Sequence, residues 1–256
     1  MSEEFANKLI KFSAQTAGRD KFYRTFQYGS KLLWWCMEQA SGDPHLIKKV
    51  KALEQTLSTS RKLLRLGKSF DMFTAALRTI HLEDTFLQVT ITLSKLNQAL
   101  YLLIDHALWA HRVGLVKADN RRLAELSARF WLATLILNLA RDLYELLSML
   151  GDITALRAKQ QAERYDTSIP AASSNGDLPS NSLNAAGGHR MSALALCLST
   201  GKPVVLDLVK NAADLFLPLS SLGYVAIPAG VQGLCGLVSS LVGLATVWDA
   251  NLKIKP

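Results

Sequence analysis

Apolar side chains recur at helical intervals along most of this chain, and the pattern predicts an all-α protein. Phe5, Leu9 and Phe12 share a face, and Phe22, Phe26, Leu33 and Met37 follow at spacings of a turn or two. This predicts helix over residues 3–40, weakened at Gly18 and Gly29. Adjacent Trp34 and Trp35 cannot both face one core, so at least one is left for an interface, at headgroup depth or in ordinary packing. Ser41-Gly42-Asp43-Pro44 ends this helix and starts the next, with Asp43 as N-cap and Pro44 at the first helical position.

From His45 to Lys68 the pattern is amphipathic. Leu46, Val50, Leu53, Leu57 and Leu64 fall on one narrow face, while Lys48, Lys51, Gln55, Ser58 and Lys62 fall opposite. The segment is also strongly basic, with Lys48, Lys49, Lys51, Arg61, Lys62, Arg65 and Lys68 against the single Glu54. Leucines below and lysines above describe a helix lying in a membrane interface, where one-sided insertion spreads headgroups and favours curvature. The same pattern describes a surface helix packed on a bundle with its lysines in water. Gly67-Lys68-Ser69 is not a phosphate loop, because Lys62 stands where that motif needs glycine and no strand precedes it.

Two middle segments are apolar but interrupted. Phe86 to Trp109 carries Lys95 near its middle and Asp105 and His106 near its end, and Phe130 to Leu150 is broken by Arg141 and Asp142. Both read as tilted or interfacial helices, with Arg141 placed to pair with Glu145 one turn on. Val204 to Leu217 is again helical, with Asp207, Lys210 and Asp214 forming a charge strip on one face.

No charged residue occurs from Leu215 to Trp248, and Val231 to Trp248 is 18 residues of helix-compatible apolar sequence. A bilayer core takes about 20 such residues as a helix, and fewer where flanking groups snorkel, so this stretch is predicted to be a transmembrane anchor. A helix in a large soluble core is hydrophobic all round too, but seldom over so long a run. Gly230, Gly233, Gly236, Ser240 and Gly243 recur every three or four residues along one side, a small-residue face through which membrane helices approach closely. This face is expected to serve oligomerisation. Pro218, Gly223, Pro228 and Gly230 predict a break before the anchor.

The composition adds a membrane partner and a linker. Hydrophobic residues make up 49% of the 256, yet 20% are charged, so part of the chain is expected to lie on the membrane rather than within it. A net charge of +8 implies an acidic partner, and beside an anchor this favours anionic phospholipid over nucleic acid. Residues 166–189 are Ser, Asn, Gly, Ala and Pro with almost no large apolar side chain, and are predicted to be a flexible linker. The regions are then 1–112, amphipathic with a membrane segment at 86–109; 113–165, a third apolar helical region; the linker 166–189; and 190–256, a helix, the anchor at about 231–248 and a short basic tail. The N-terminus lacks the basic and apolar regions of a secretory signal. Cys36, Cys197 and Cys235 have neither disulfide nor zinc spacing, the histidines show no metal-binding pattern, and no nucleophile or nucleotide motif is present. Neither an enzyme nor a cofactor is expected.

Several short runs together resemble the peroxin-11 family of peroxisomal membrane elongation factors, its alpha and beta types above all. They are Phe12-Ser13-Ala14-Gln15-Thr16 with Gly18-Arg19-Asp20; Arg61-Lys62-Leu63-Leu64-Arg65-Leu66-Gly67; Leu96-Asn97, Leu100-Tyr101, Asp105 and Leu108-Trp109; Asn138-Leu139, Arg141-Asp142 and Tyr144-Glu145; Leu206-Asp207, Lys210-Asn211 and Asp214-Leu215-Phe216; and Gly233-Leu234-Cys235-Gly236-Leu237-Val238-Ser239-Ser240. The linker is less glycine-rich than in the beta type, and Asp249 follows Trp248 where relatives tend to have an uncharged residue or proline.

The resemblance implies a multi-pass peroxisomal membrane protein with both termini in the cytosol. It implies self-association, membrane bending by an amphipathic helix before fission, and contact with a dynamin-related fission GTPase and its tail-anchored adaptors. By position the bending helix is that of Leu46, Lys48, Val50, Lys51, Leu53, Leu57, Lys62 and Leu64. Two other readings stay open. One is a pore for small metabolites, with Lys95, Asp105, Arg141 and Asp142 along a polar path. The other is an adaptor that only recruits the GTPase.

Overall fold

The computed structural model describes residues 2–167 and 195–254, and among these there is helix and short connection but no strand. Besides a helical stretch at 195–200, the helices are α1 (Ser2–Ala14), α2 (Thr16–Gln39), α3 (Pro44–Leu64), α4 (Lys68–Thr79), α5 (Thr85–Arg112), α6 (Asn120–Thr167), α7 (Lys202–Ser221) and α8 (Ala229–Trp248). The chain is an all-α protein with amphipathic helices and an apolar C-terminal helix. Except for its first two residues, the linker at 166–189 lies outside the described residues.

Local chemistry sets the boundaries. Asp43 caps α3 by accepting from the backbone N–H of His45 at 3.0 Å, with Pro44 opening the helix. Asp84 caps α5 by accepting from Phe86 and Leu87 at 2.8 and 3.0 Å. The helix predicted over residues 3–40 is two helices, because the backbone at Gln15 is extended (φ −82°, ψ 127°). The break before the anchor falls at residues 222–228; Pro218 sits inside the last turns of α7 and the helix runs three residues past it.

The helices close into a ring. α2 packs on α3 and α8, α8 on α7, α7 on α6, and α6 on α5, while α3 touches α5 and completes the circuit. α4 lies on the outside of α5. α1 packs beside α2, and its Phe5 and Phe12 rings meet Trp248 at centroid distances of 5.8 and 5.7 Å.

The ring is polar within and apolar without. Its buried residues include Asp20, Arg24, Gln27, Arg61, Asp105, Asp142, Asn211 and Asp214, whereas Phe22, Phe26, Leu93, Leu100, Ile136, Leu147 and Phe216 are exposed. A water-soluble bundle buries the second kind and shows the first. This inversion suits a bundle whose surroundings are hydrocarbon, where the interior holds the polar side chains and packing against neighbours holds the helices.

Two helices are long and apolar enough to cross a membrane, α8 and the part of α6 within residues 120–162. At 48 residues α6 is about 72 Å long by its rise, more than twice a bilayer core of about 30 Å, so only its apolar stretch fits inside. Arg141 and Asp142, which interrupt that stretch, turn toward α7. There Arg141 meets Asp207 at 2.5 Å, and Asn211 donates to Asp142 at 2.8 Å.

The glycine face of α8 is already occupied. A Cβ at Gly236 would stand 2.2 Å from the Tyr28 ring, and one at Gly233 would stand 2.8 Å from the backbone nitrogen of Leu32. Gly230 lies under Trp35, Gly243 along Lys21, and Ser240 is buried with its hydroxyl donating to the Gly236 carbonyl at 2.5 Å. The small residues expected between copies thus bring α2 and α8 of one chain together. On the opposite face of α8, Val231, Leu234, Val238 and Leu241 are uncovered.

Gly233→Ala drives a methyl group into backbone that cannot rotate aside and is expected to lower stability by about 1–3 kcal/mol. Gly29→Ala, inside α2 with nothing within 4 Å, is expected to raise it by about 0.5–1 kcal/mol. Thermal unfolding of the two variants in one detergent gives shifts of opposite sign if the α2–α8 contact is as described.

Candidate functional site: an uncovered rim and a polar cavity

The amphipathic helix expected at His45–Lys68 is present as α3, but its basic side is turned partly inward. Leu46 and Leu53 are 48% and 50% exposed, Val50, Leu57 and Leu64 are half-buried, and Leu63 is exposed beside them. Lys48 stays exposed. Lys51 instead pairs with Glu38 and lies over the Trp34 ring at 4.3 Å, and Lys62 reaches into the ring to Asp105 at 2.7 Å. So of the three lysines assigned to headgroups, Lys62 acts inside the bundle and Lys51 pairs with Glu38 at the surface, while the leucine face is only partly covered.

The turn after α3 and the helix that follows carry further exposed apolar side chains. Gly67 has φ 82°, a left-handed conformation that side chains rarely adopt, and it redirects the chain into α4. Phe70, Phe73 and Leu77, at intervals of three and four, point outward, Phe70 at 73% exposure, while Ser69, Ala76 and Thr79 are buried. The spacing of Phe70, Phe73 and Leu77 marks an amphipathic helix in the sequence, and the sequence reading passed over it. α3, α4 and the exposed Phe5, Leu9 and Ile10 of α1 each carry an uncovered apolar face. Trp34 and Trp35 divide as their adjacency requires: Trp34 donates to Glu54 on α3 at 2.7 Å, and Trp35 covers Gly230 on α8.

Inside, each side of the ring is joined by polar groups. Arg61 on α3 donates to Asp20 and Gln27 on α2 at 3.0 and 2.7 Å. Arg65, just past α3, reaches Asp105 at 2.5 Å and Tyr101 at 3.1 Å on α5. Ser94 on α5 donates to Asn138 on α6 at 2.5 Å, and Arg24 on α2 pairs with Asp214 on α7. Lys31 on α2 donates to Gln232 on α8 at 2.8 Å. Asp214 therefore leaves the charge strip expected along α7, in which Lys210 and Asp207 do pair.

These groups surround a cavity of about 460 Å³ between α2, α3, α5, α6 and α7. Of the four residues suggested for a polar path, only Asp105 lines it. Arg141 and Asp142 belong to the cluster on α7, and Lys95 faces that cluster too. The cavity walls are mostly cationic: Lys21, Arg24, Arg61, Lys62, Arg65, Lys68 and Lys210 stand against Asp20, Asp105 and Asp214.

Burial pushes the Asp20 carboxyl up, but Arg61, Arg65, Lys21 and Lys68 together hold it down to about 2. Its contribution to stability is therefore present above the ordinary carboxylate pKa and is lost as pH falls toward 2. Asp20→Asn leaves Arg61 buried without its charge partner and is expected to cost about 3–5 kcal/mol at neutral pH. Adding Arg61→Met to that variant is expected to restore a large part of the loss, read from thermal unfolding of the single and double variants.

Residues 6–248 match the model of the family described as Peroxisomal biogenesis factor 11 (PEX11). Human Peroxisomal membrane protein 11B is 37% identical over 256 residues, covering 96% of this chain and 98% of that protein. Rat Peroxisomal membrane protein 11A is 36% identical over 252 residues with the same coverage. The Dictyostelium discoideum homolog of protein 11 is 26% identical over 247 residues, covering 96% of this chain and 95% of that protein. No solved structure matches. With its family model and its relatives both spanning nearly the whole ring of helices, this chain belongs to the peroxisomal biogenesis factor 11 family.

Proposed function

We propose that this protein resides in the peroxisomal membrane and bends it by setting the apolar faces of α3 and α4 into one leaflet, promoting elongation and fission. The observation that carries the reading is the row of uncovered side chains Leu46, Leu53, Leu63, Leu66, Phe70, Phe73 and Leu77, which follow one another along two consecutive helices. A face of this kind finds its partner in the acyl boundary of a bilayer, and insertion to one side of the midplane expands one leaflet only. Exposed Lys48 and Lys49 flank it and draw it to anionic lipid. α6 and α8 anchor the bundle beside this rim.

In this reading the protein acts mechanically, with neither catalysis nor a cofactor. It works in several copies, and the exposed face of α8 is the surface through which they meet. Its protein partners are a dynamin-related fission GTPase and that enzyme's tail-anchored adaptors, which act on the constricted membrane. Both termini lie in the cytosol.

A second reading is supported by the cavity: a polar interior ringed by helices with apolar outer faces is the general form of a passage for polar solutes. The two readings separate in one preparation. Full-length protein reconstituted into vesicles rich in anionic phospholipid is expected to draw tubules. The variant combining Leu53→Glu with Phe70→Glu is expected to bind less and draw none, since a charge costs up to about 3 kcal/mol in a bilayer and less at its interface. Round vesicles with the unaltered protein would overturn the wedge. If those vesicles release a trapped small anion, the passage takes its place; if they stay intact, an adaptor role does.

A further inference from the structure

We propose that the cavity between α2, α3, α5, α6 and α7 is a binding site for a phosphomonoester dianion, held by Lys21, Lys68 and Arg24. The inference does not depend on the membrane wedge.

The charges of the cavity do not cancel. Asp20 takes Arg61, Asp105 takes Lys62 and Arg65, Asp214 takes Arg24, and Lys210 reaches out to Asp207. Lys21 and Lys68 also line the cavity, and among the described residues neither has a carboxylate within ion-pair distance. Burial, then the neighbouring Arg24, Lys210 and Lys68, push the Lys21 ammonium down to about 7, with Asp20 opposing. Burial lowers Lys68 as well. Holding two half-buried like charges close together without partners is unfavourable, and a doubly charged anion between them removes that penalty.

A second observation marks the same place. Arg24 is 93% buried, its guanidinium is already held by Asp214, and its Nε has no hydrogen-bond partner. Buried N–H groups are normally satisfied, so this donor on the cavity wall calls for an acceptor. The Nε of Arg65, on the same wall, is also without a partner. Phosphate offers what the set lacks: charge near −2 at neutral pH and three oxygens that each accept more than one hydrogen bond. Lysine ammoniums suit it as compact point charges. Gln98, Asn138 and Ser58 add neutral polar groups. A cavity of about 460 Å³ takes more than a bare ion and lies in the range of sites for small organic ligands. The phosphate can come from a soluble phosphomonoester or from a phosphatidic acid headgroup.

The test uses the full chain purified in detergent, with glycerol phosphate and phosphatidic acid as separate probes, and phosphatidylcholine and sodium chloride as controls. At least one probe is expected to bind saturably by calorimetry and to raise the unfolding temperature, as any ligand of the folded state does. Lys21→Gln and Lys68→Gln are each expected to weaken it about tenfold or more, and Lys117→Gln, on an exposed connection, to leave it unchanged. Both cavity variants remove an unpaired charge and are expected to fold at least as stably as the parent. Binding of the soluble ester alone assigns the site to a free metabolite, and binding of phosphatidic acid alone to a lipid headgroup. The proposal is overturned if neither probe binds the unaltered protein, if chloride or phosphatidylcholine binds as well as the probes, or if the two glutamine variants bind undiminished.

Discussion

Pairing between buried charges on different helices is the constraint from which the rest of this structure follows. Asp20 with Arg61, Asp105 with Lys62 and Arg65, Asp214 with Arg24, and Asp207 with Arg141 each tie residues 40 or more positions apart. In water such pairs add little beyond a hydrophobic alternative, because both ions must be dehydrated. Where the outer surface faces lipid, apolar side chains gain nothing by turning inward, and close packing and polar bridges decide which helices neighbour which. The exposed phenylalanines and leucines of α2, α5 and α6 are the other half of the same arrangement.

The contact of α2 with α8 shows how packing completes what the ion pairs begin. Only Lys31 and Gln232 bridge these two helices by a side-chain hydrogen bond among those described, so their association rests on shape. Tyr28, Leu32 and Trp35 sit in the groove left by Gly236, Gly233 and Gly230. A helix this apolar would otherwise have no preferred neighbour, since every face of it is compatible with lipid. The glycines give it one, and they close the ring.

Much of this was legible in the sequence. The helices, the Asp43 cap, the break ahead of the anchor and the end of the anchor at Trp248 follow from periodicity, capping chemistry and the missing charges. The short runs that carried the family resemblance contain Asp20, Arg61, Lys62, Arg65, Tyr101, Asp105, Asn138, Arg141, Asp142, Asn211 and Asp214, and the structure gathers these in its polar interior. What a wheel cannot supply is the sign of the outside. It separates the leucines of α3 from its lysines, and both readings of that pattern sent the lysines outward, toward headgroups or toward water. The inward turn of Lys62 depends on Asp105, 43 residues away, and Lys51 is held at the surface by Glu38 across a turn. Likewise the glycine face of α8 signals a close helix contact but not whose helix it meets.

The same pairs limit how α3 can meet a membrane. A free amphipathic helix lies flat with its lysines at the headgroups, and for α3 that pose would withdraw Arg61 from Asp20 and Lys62 from Asp105. Each carboxylate would be left in the interior with less compensation, at a cost of about 3–5 kcal/mol for a buried pair that loses one member. Burying Leu46, Leu53 and Leu63 in lipid returns at most about 1.5–3 kcal/mol for each fully covered side chain, and they are already half covered. Detachment therefore gains little over insertion in place, where the leucines enter the leaflet while Arg61 and Lys62 keep their partners. In the proposed wedge, α3 acts as the edge of a rigid bundle rather than as a mobile arm. In the same reading the phenylalanines of α4 extend that edge, with α3 held by its ion pairs to α2 and α5 and α4 by its packing on α5.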